Sequence, residues 1–497
     1  MPDFFYLNTE NIHSLPNTIT TSKIDRDKIK TSIAHIGINN FHRAHQAYYI
    51  HELIEKHNEL NFGICGIDLL ESDRKIYNIL KDQDGLYTLL IKDPNGKHEN
   101  KVIGSIVEYF YGPENPMAAI ERMAQPDIQI ISLTVAEDGY HLNEITGEFD
   151  MNHPEVEEDT KNKFSPKTVF GYLTQVFNLR KKRGLPGCTV LSCDNIQSNG
   201  DTIKSAFFNY VSNTEPDLLP WLKENTTFPN SMVDRITTET RSKDIAKLKN
   251  EHATYDQWPV VCESFSNWII EDNLMFDKSV WEKVGVQFVK SIMPYENMKL
   301  RILNAGHSIL GIIGTLSGYS TVHEVANDED CVSFLENFID IEVAPNIIDT
   351  ETQDKISYKN QVISRFKNPY ITDELSRICK ESSSKIPIFI LPTISKQLSN
   401  KQPIEHAAFA IAAWCKYYDG IDDFGKSYDI KDSISNQLIR TATLSHQNPQ
   451  LFLERNAMFS DLITYDLFRE RFTYYLSELR SRPIKECLVQ MNNKTLQ

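Results

Sequence analysis

The stretch Glu296-Asn297-Met298-Lys299-Leu300-Arg301-Ile302-Leu303-Asn304-Ala305-Gly306-His307 sets polar, proton-carrying side chains among aliphatic ones. On a helix turning about 100° per residue, Glu296 lies roughly 60°, His307 roughly 80° and Asn304 roughly 140° from Lys299. Four functional side chains thus share one face. Leucine and isoleucine fill almost every other angle, the pattern of a helix buried all round. A buried polar group without a partner costs about 1–3 kcal/mol. A free lysine titrates near ~10.4, too high for a base at neutral pH, and burial lowers that value. The stretch reads either as a site built around a lysine base or as a structural polar network.

Two further places could do chemistry. Cys193-Asp194-Asn195-Ile196-Gln197-Ser198-Asn199-Gly200 follows a strand-like run and opens a helix. Active-site loops of α/β sheets lie there, although Asp194 or Asn195 could simply cap the helix. Near the start, Gly37-Ile38-Asn39-Asn40-Phe41-His42-Arg43 ends a strand-like run. A glycine at that point is where a dinucleotide fold cradles pyrophosphate. Asn39 and His42 occupy the second and third glycine positions of the usual GxGxxG, and asparagine tolerates a left-handed turn. The competing reading is a plain β–α turn. Asp68 closes the next strand-like run, where a carboxylate can bind ribose hydroxyls and repel a 2′-phosphate. Glu71 and Asp73 could share that role, or Asp68 could be a solvated loop carboxylate.

These residues must be positioned by elements. Strands are expected over Ser32–Ile38, Phe62–Ile67, Ile128–Val135 and Thr189–Cys193, with helices such as Ala44–Lys56 and Val169–Lys181 between them. That rhythm predicts an α/β fold with a Rossmann-type, doubly wound sheet over residues 1–285. Leu142–Pro166, with its acidic GEFDMNHPEVEED, is expected to be an exposed loop. Helical periodicities, as in Val332–Val343 and Ile404–Tyr418, predict a mostly α-helical domain over 286–497.

Bulk properties narrow the classes. A chain of 497 residues favours two domains. Its net charge of −16 argues against nucleic-acid partners and against anionic membrane surfaces. No run reads as a signal peptide or membrane span. The eight cysteines are scattered singly, without a CxxC pair, so neither a zinc knuckle nor a redox dithiol is indicated. Free thiols in a reducing cytoplasm are the expectation.

The motifs together resemble the polyol-specific long-chain dehydrogenases over nearly the whole chain. The resemblance rests on GINNFHRAHQA at 37–47, TVAEDGY at 134–140, SCDNIQSNG at 192–200, VDRIT at 233–237, CESFSNWIIED at 262–272, KLRILNAGH at 299–307 and RFKNPYITDELSRICKESSSKIP at 365–387. The Lys-x4-Asn-x2-His spacing is specific to that family. It implies a two-domain enzyme with the site in the cleft, NAD as cofactor, no metal, and interconversion of a sugar alcohol such as D-mannitol with its ketose.

By motif match Lys299 is the base, Asn195 and Asn304 stabilise the alkoxide, His307 orients substrate, and Glu296 lies on a proton path. Asp234, Arg377 and Lys385 match polyol-binding positions. Gly37, Asn39, Phe41, Arg43, Asp68 and Glu137 match cofactor-binding ones. Asn39 stands where the family usually has glycine, and Asn267 where glutamine is common. Fructuronate reduction, arabinitol oxidation and a catalytically silent sugar or nucleotide sensor remain open, as do monomer and small homo-oligomer.

Overall fold

The computed structural model describes residues 4–143, 147–459 and 461–495. They form two compact units divided between Ile292 and Met293.

The first unit is built on five parallel strands: β1 (Thr31–Ile36), β2 (Gly63–Asp68), β3 (Ile106–Tyr111), β4 (Ile130–Leu133) and β5 (Thr189–Ser192). Their order is β3-β2-β1-β4-β5, the doubly wound arrangement whose strand order reverses between β1 and β4. Strands covered on both faces read as continuous apolar runs, and every residue of β1, β2, β4 and β5 is buried. One face packs Ile36, Ile67, Ile131 and Leu133 against Phe170, Phe177 and Phe207. The other packs Ile33, Ile64, Ile130 and Leu191 into a core with Tyr49, Leu53, Leu89, Trp268 and Trp281.

The unit also holds strands absent from the sequence reading. β3, at the sheet edge, is buried at Ile106 and Tyr111 and half-buried between them, and its Glu108 and aromatic residues disguise it. A mixed sheet runs Thr237–Thr238, Val260–Glu263, Tyr87–Lys92, His98–Ile103, and a smaller one Gln287–Val289, Asn267–Glu271, Ser231–Asp234.

Two helix expectations and one loop expectation are corrected. The helix expected from Ala44 is two, α1 (Asn40–Ala44) and α2 (Gln46–His57), broken where His45 leaves helical geometry at φ −116, ψ −85. Leu142–Pro166 is not simply an exposed loop, because it carries α3 (Pro154–Lys161). Proline at the first position starts that helix, Val156 is buried beneath it, and Asp159 accepts from the Lys167 and Thr168 amides. Residues 144–146 of that stretch lie outside the described residues. The helix expected over Val332–Val343 is α-helical only from Glu329 to Asn337, then π-helical from Phe338 to Val343.

The second unit is helical, with no strand beyond isolated bridges among its described residues. Its centre is the helix Ala305–Leu316, buried nearly all round. Glycines let neighbours approach it closely. A Cβ on Gly311 would lie 2.8 Å from Ile378 Cγ2, and one on Gly314 2.3 Å from Val325 Cγ2. The short helix Leu375–Ile378, which carries Arg377, therefore packs directly against the helix that begins beside His307.

Candidate functional site

The helix carrying the lysine is not regular. Met293–Met298 is α-helical, Lys299–Asn304 is π-helical, and Ala305–Leu316 is α-helical again. A π turn bonds i to i+5 and is frequent at functional sites. The steady 100° reckoning therefore fails across this segment. Residue 304 lies about one turn beyond residue 299, which brings the Asn304 amide round towards the face of Lys299. Lys299 is 8% exposed and Glu296 7%.

His307 begins the next turn and stacks on Phe366 at 4.3 Å. Its Nε2 lies 3.9 Å from Asp373 Oδ2. Arg377 donates to both oxygens of Asp373, through Nε at 2.7 Å and Nη2 at 2.8 Å. Burial raises the Asp373 carboxyl above its ordinary range, against the pull of Arg377 and Lys385. Lys385 donates to the carbonyls of Lys380, at 2.5 Å, and Ile378, at 3.1 Å. Asp373 thus joins two expected site residues. Sequence reasoning passed over it, although its i, i+4 spacing to Arg377 was a readable signal.

In the first unit, β1 passes through Gly37 into α1. Gly37 has φ +90, and a Cβ there would sit 2.3 Å from the Thr134 carbonyl oxygen. Thr134 Oγ1 donates to the Gly37 carbonyl at 2.7 Å, and the Asn39 amide donates to the Thr134 carbonyl at 3.1 Å. The loops after β1 and β4 are thereby pinned together at the topological switch point, where open α/β sheets bind ligands. Asn39 also caps α1, accepting from the His42 amide at 2.9 Å.

The chain matches the family model for the mannitol dehydrogenase Rossmann domain over residues 31–283 and that for the mannitol dehydrogenase C-terminal domain over 291–480. It belongs to the mannitol dehydrogenase family. Mannitol 2-dehydrogenase of Phaeosphaeria nodorum is 38% identical over 463 residues, 93% of this chain and 81% of that protein. Mannitol 2-dehydrogenase of Aspergillus fumigatus is 39% identical over 449 residues, 89% of each. Among solved structures, Pseudomonas fluorescens mannitol 2-dehydrogenase in ternary complex with NAD and D-mannitol matches with a TM-score of 0.90 and 35% identity, covering 99% of this chain and all of that one. A D-sorbitol dehydrogenase in substrate-free form matches at 0.85 and 31%, covering 96% of this chain and 99% of that one.

Within this mannitol dehydrogenase family fold, the expected cofactor residues separate into two groups. Asn39 and Glu137 are exposed, and Phe41 is half-buried beside His45. Arg43 is corrected. Its guanidinium is fully buried and donates to the Trp258 carbonyl and to Asn40 Oδ1, both at 2.6 Å, over the Tyr87 ring. It braces α1 from inside. Asp68 is 1% exposed, so it is not a solvated loop carboxylate. It accepts from the Ile38 amide at 2.9 Å and from the Tyr109 hydroxyl, and burial pushes its carboxyl up to about 6. His35 and His42 stack at 3.4 Å; burial holds His35 down at about 3 and His42 well below its ordinary value.

Asn195 is exposed on the loop after β5, and neither it nor Asp194 caps the next helix, whose cap position is Ser198. Asp194 is buried and bound to the β4 loop. It accepts from the Val135 amide at 3.2 Å, the Ala136 amide at 2.9 Å and the Tyr140 hydroxyl at 2.9 Å. Burial raises its carboxyl to about 6. Asp234 is buried at the end of Ser231–Asp234, in register with Asn267. The adjacent Arg235 donates to the Ala44 carbonyl at 2.7 Å, so this strand and α1 are braced together. All eight cysteines are buried and unpaired, and no helix among the described residues is long and apolar enough to cross a membrane.

Proposed function

We propose that the chain is an NAD-dependent polyol dehydrogenase that oxidises D-mannitol to D-fructose and catalyses the reverse reduction, with a lysine base and no metal in the chemical step. The observation that carries this reading is the buried Lys299 at a π turn, followed one turn later by Asn304 and then by His307, within the mannitol dehydrogenase C-terminal domain. The relative solved with NAD and D-mannitol supports the cofactor and the substrate.

The first unit fits a dinucleotide. Gly37 removes side-chain bulk where the β1 and β4 loops meet at the switch point. Gly37, Asn39, Phe41 and Glu137 would hold NAD, with Asp68 behind them. When bound, the nicotinamide supplies the hydride acceptor.

The chain's own residues do the rest. Lys299 Nζ takes the hydroxyl proton of the alcohol. The Asn304 amide donates to the oxygen as negative charge develops, and Asn195 is a second such donor on its motif match. Glu296, three residues before Lys299, relays the proton onward. His307, held between Phe366 and Asp373, orients the substrate, and Asp234, Arg377 and Lys385 receive its remaining hydroxyls.

Arg377 bears on the choice of substrate. Two of its donor positions are committed to Asp373, so a uronate carboxylate would compete with an anion already in place. That favours an uncharged polyol over fructuronate. Initial rates with mannitol, sorbitol, arabinitol and fructuronate, each with NAD(H) and NADP(H), test the assignment. Highest kcat/KM for mannitol with NAD is expected. A preference for fructuronate overturns the substrate, and loss of activity under EDTA with recovery on zinc overturns the metal-free chemistry.

A further inference from the structure

The function above leaves the acidic stretch between the β4 loop and α3 without a task. His141 and His153 lie in it with rings 4.4 Å apart, and His141 Nε2 is 3.7 Å from Glu155 Oε2. One ligand atom from each of His141, His153 and Glu155 falls within 4.8 Å of the others. Both Nδ1 atoms are buried and have no hydrogen-bond partner. Buried polar atoms without partners call for an explanation such as a bound ion. Two imidazoles and one carboxylate are the donor set of zinc and its borderline neighbours, whereas calcium and magnesium take oxygen ligands.

We propose that His141, His153 and Glu155 bind one divalent transition-metal ion of the zinc class, completed by water, as a structural clamp. Bonds of about 2.0–2.1 Å place tetrahedral ligand atoms roughly 3.3 Å apart. The side chains must therefore close in by up to about 1.5 Å from the 4.8 Å limit. Side-chain rotation supplies this, since Glu155 is exposed and His153 sits at the helix cap without a capping bond.

The clamp would tie the end of the turn Glu137–Tyr140 to the first turn of α3. Tyr140 precedes His141 directly, and its hydroxyl bonds Ser192 at 2.5 Å and Asp194 at 2.9 Å. The ion would thus stiffen the scaffold beneath Asn195 without touching reacting atoms.

The full chain, stripped with chelator and dialysed, is titrated with Co2+ as a spectroscopic probe and with Zn2+ by equilibrium dialysis. One equivalent with a visible tetrahedral cobalt band is expected. At a hundredfold excess over Kd, Tm should rise by about 3–4 °C. Turnover at 25 °C should stay within about twofold of the stripped enzyme, because the base is a lysine. His141→Asn with His153→Ala should abolish stoichiometric binding; asparagine keeps the left-handed backbone of residue 141 at φ 48. Glu155→Gln, an exposed change that leaves folding intact, should weaken binding by roughly tenfold or more, since even outer partners of a metal cost ~10–100-fold. Less than one equivalent in the intact chain overturns the proposal. So does binding by Glu155→Gln or the double variant as tight as that of the parental chain, or turnover that tracks metal content.

Discussion

The turn after β1 and the helix through Lys299 place chemistry by opposite means. At the turn, three polar side chains are turned inward. Arg43, His42 and Asp68 are buried and spend their polar atoms or ring faces on α1, His35, Ile38 and Tyr109. At the Lys299 helix the main chain is the irregular part, and the side chains of Glu296, Lys299, Asn304 and His307 are the ones proposed to carry the function. The turn needs a particular topology and one residue without a Cβ. The helix needs particular residue types in a particular phase. Substitutions should therefore act differently in the two places, and the sharpest contrast lies between removing a functional group and adding a methyl.

The largest effect is expected at the helix. Lys299→Ala should lower kcat by about 10²–10⁴-fold, the contribution of a positioned acid–base group. KM for mannitol should change far less, because Asp234, Arg377 and Lys385 remain. Small primary amines should restore part of the rate. Near-parental turnover in the folded, NAD-saturated variant would remove the lysine from the mechanism. At the turn, Gly37→Ala adds one carbon 2.3 Å from the Thr134 oxygen at φ +90. Strain of about 1–3 kcal/mol should appear in Tm and NAD affinity together, weakening NAD binding by roughly tenfold with kcat at saturating NAD little changed. An unaltered Kd for NAD would break the contrast.

The same contrast governs what could be read from the sequence. The order of strand-like and helical runs implied the parallel sheet, but not the order of its strands, one of which was missed. Gly37 was identifiable because one residue type is demanded at one place. The inward turning of Arg43 was not legible, since a basic residue near a phosphate site and a basic brace in α1 look alike in sequence. The types Glu296, Lys299, Asn304 and His307 were plain, yet their phase was not. Nothing in Lys-Leu-Arg-Ile-Leu-Asn marks a switch from i+4 to i+5 bonding. Asp373 lay 66 residues from His307 along the chain, and the distance between them depends on Gly311 admitting Ile378, a packing fact. β3 was hidden by the mixed exposure of an edge strand.

A medium effect tests whether the helix works alone or with its neighbour. Asp373→Asn keeps the shape but removes the charge that pairs Arg377 and approaches His307. Losing a charge-assisted bidentate contact is worth about 1.5–3 kcal/mol. KM for mannitol should rise by roughly tenfold while kcat falls less. Arg377 would be freed, so fructuronate or another sugar acid should become a better substrate or inhibitor. An unchanged KM together with an unchanged response to sugar acids would reduce Asp373 to a packing residue.

The smallest effect lies behind the turn and depends on pH. Burial raises the Asp68 carboxyl to about 6, so it is charged above that pH and neutral below it. Repulsion of a 2′-phosphate should be full at pH 8 and fade as pH falls through 6. Two unit charges about 4 Å apart in water interact by roughly 1 kcal/mol, so the kcat/KM ratio of NAD over NADP should drop by about fivefold between pH 8 and 5.5. The sign of the stability term is set by the same shift. Between the ordinary carboxylate value of 3.8 and about 6 the folded chain holds a proton that the unfolded chain has released. Asp68 therefore makes the fold less stable as pH rises through that window. Asp68→Asn should flatten both profiles, giving a cofactor ratio independent of pH and a fold less penalised at pH 8. The buried Asp194 titrates at a similar value, but its partners are Tyr140 and the β4 loop. A ratio that still falls with pH in Asp68→Asn would assign the effect to Asp194 and leave Asp68 as a brace, like Arg43.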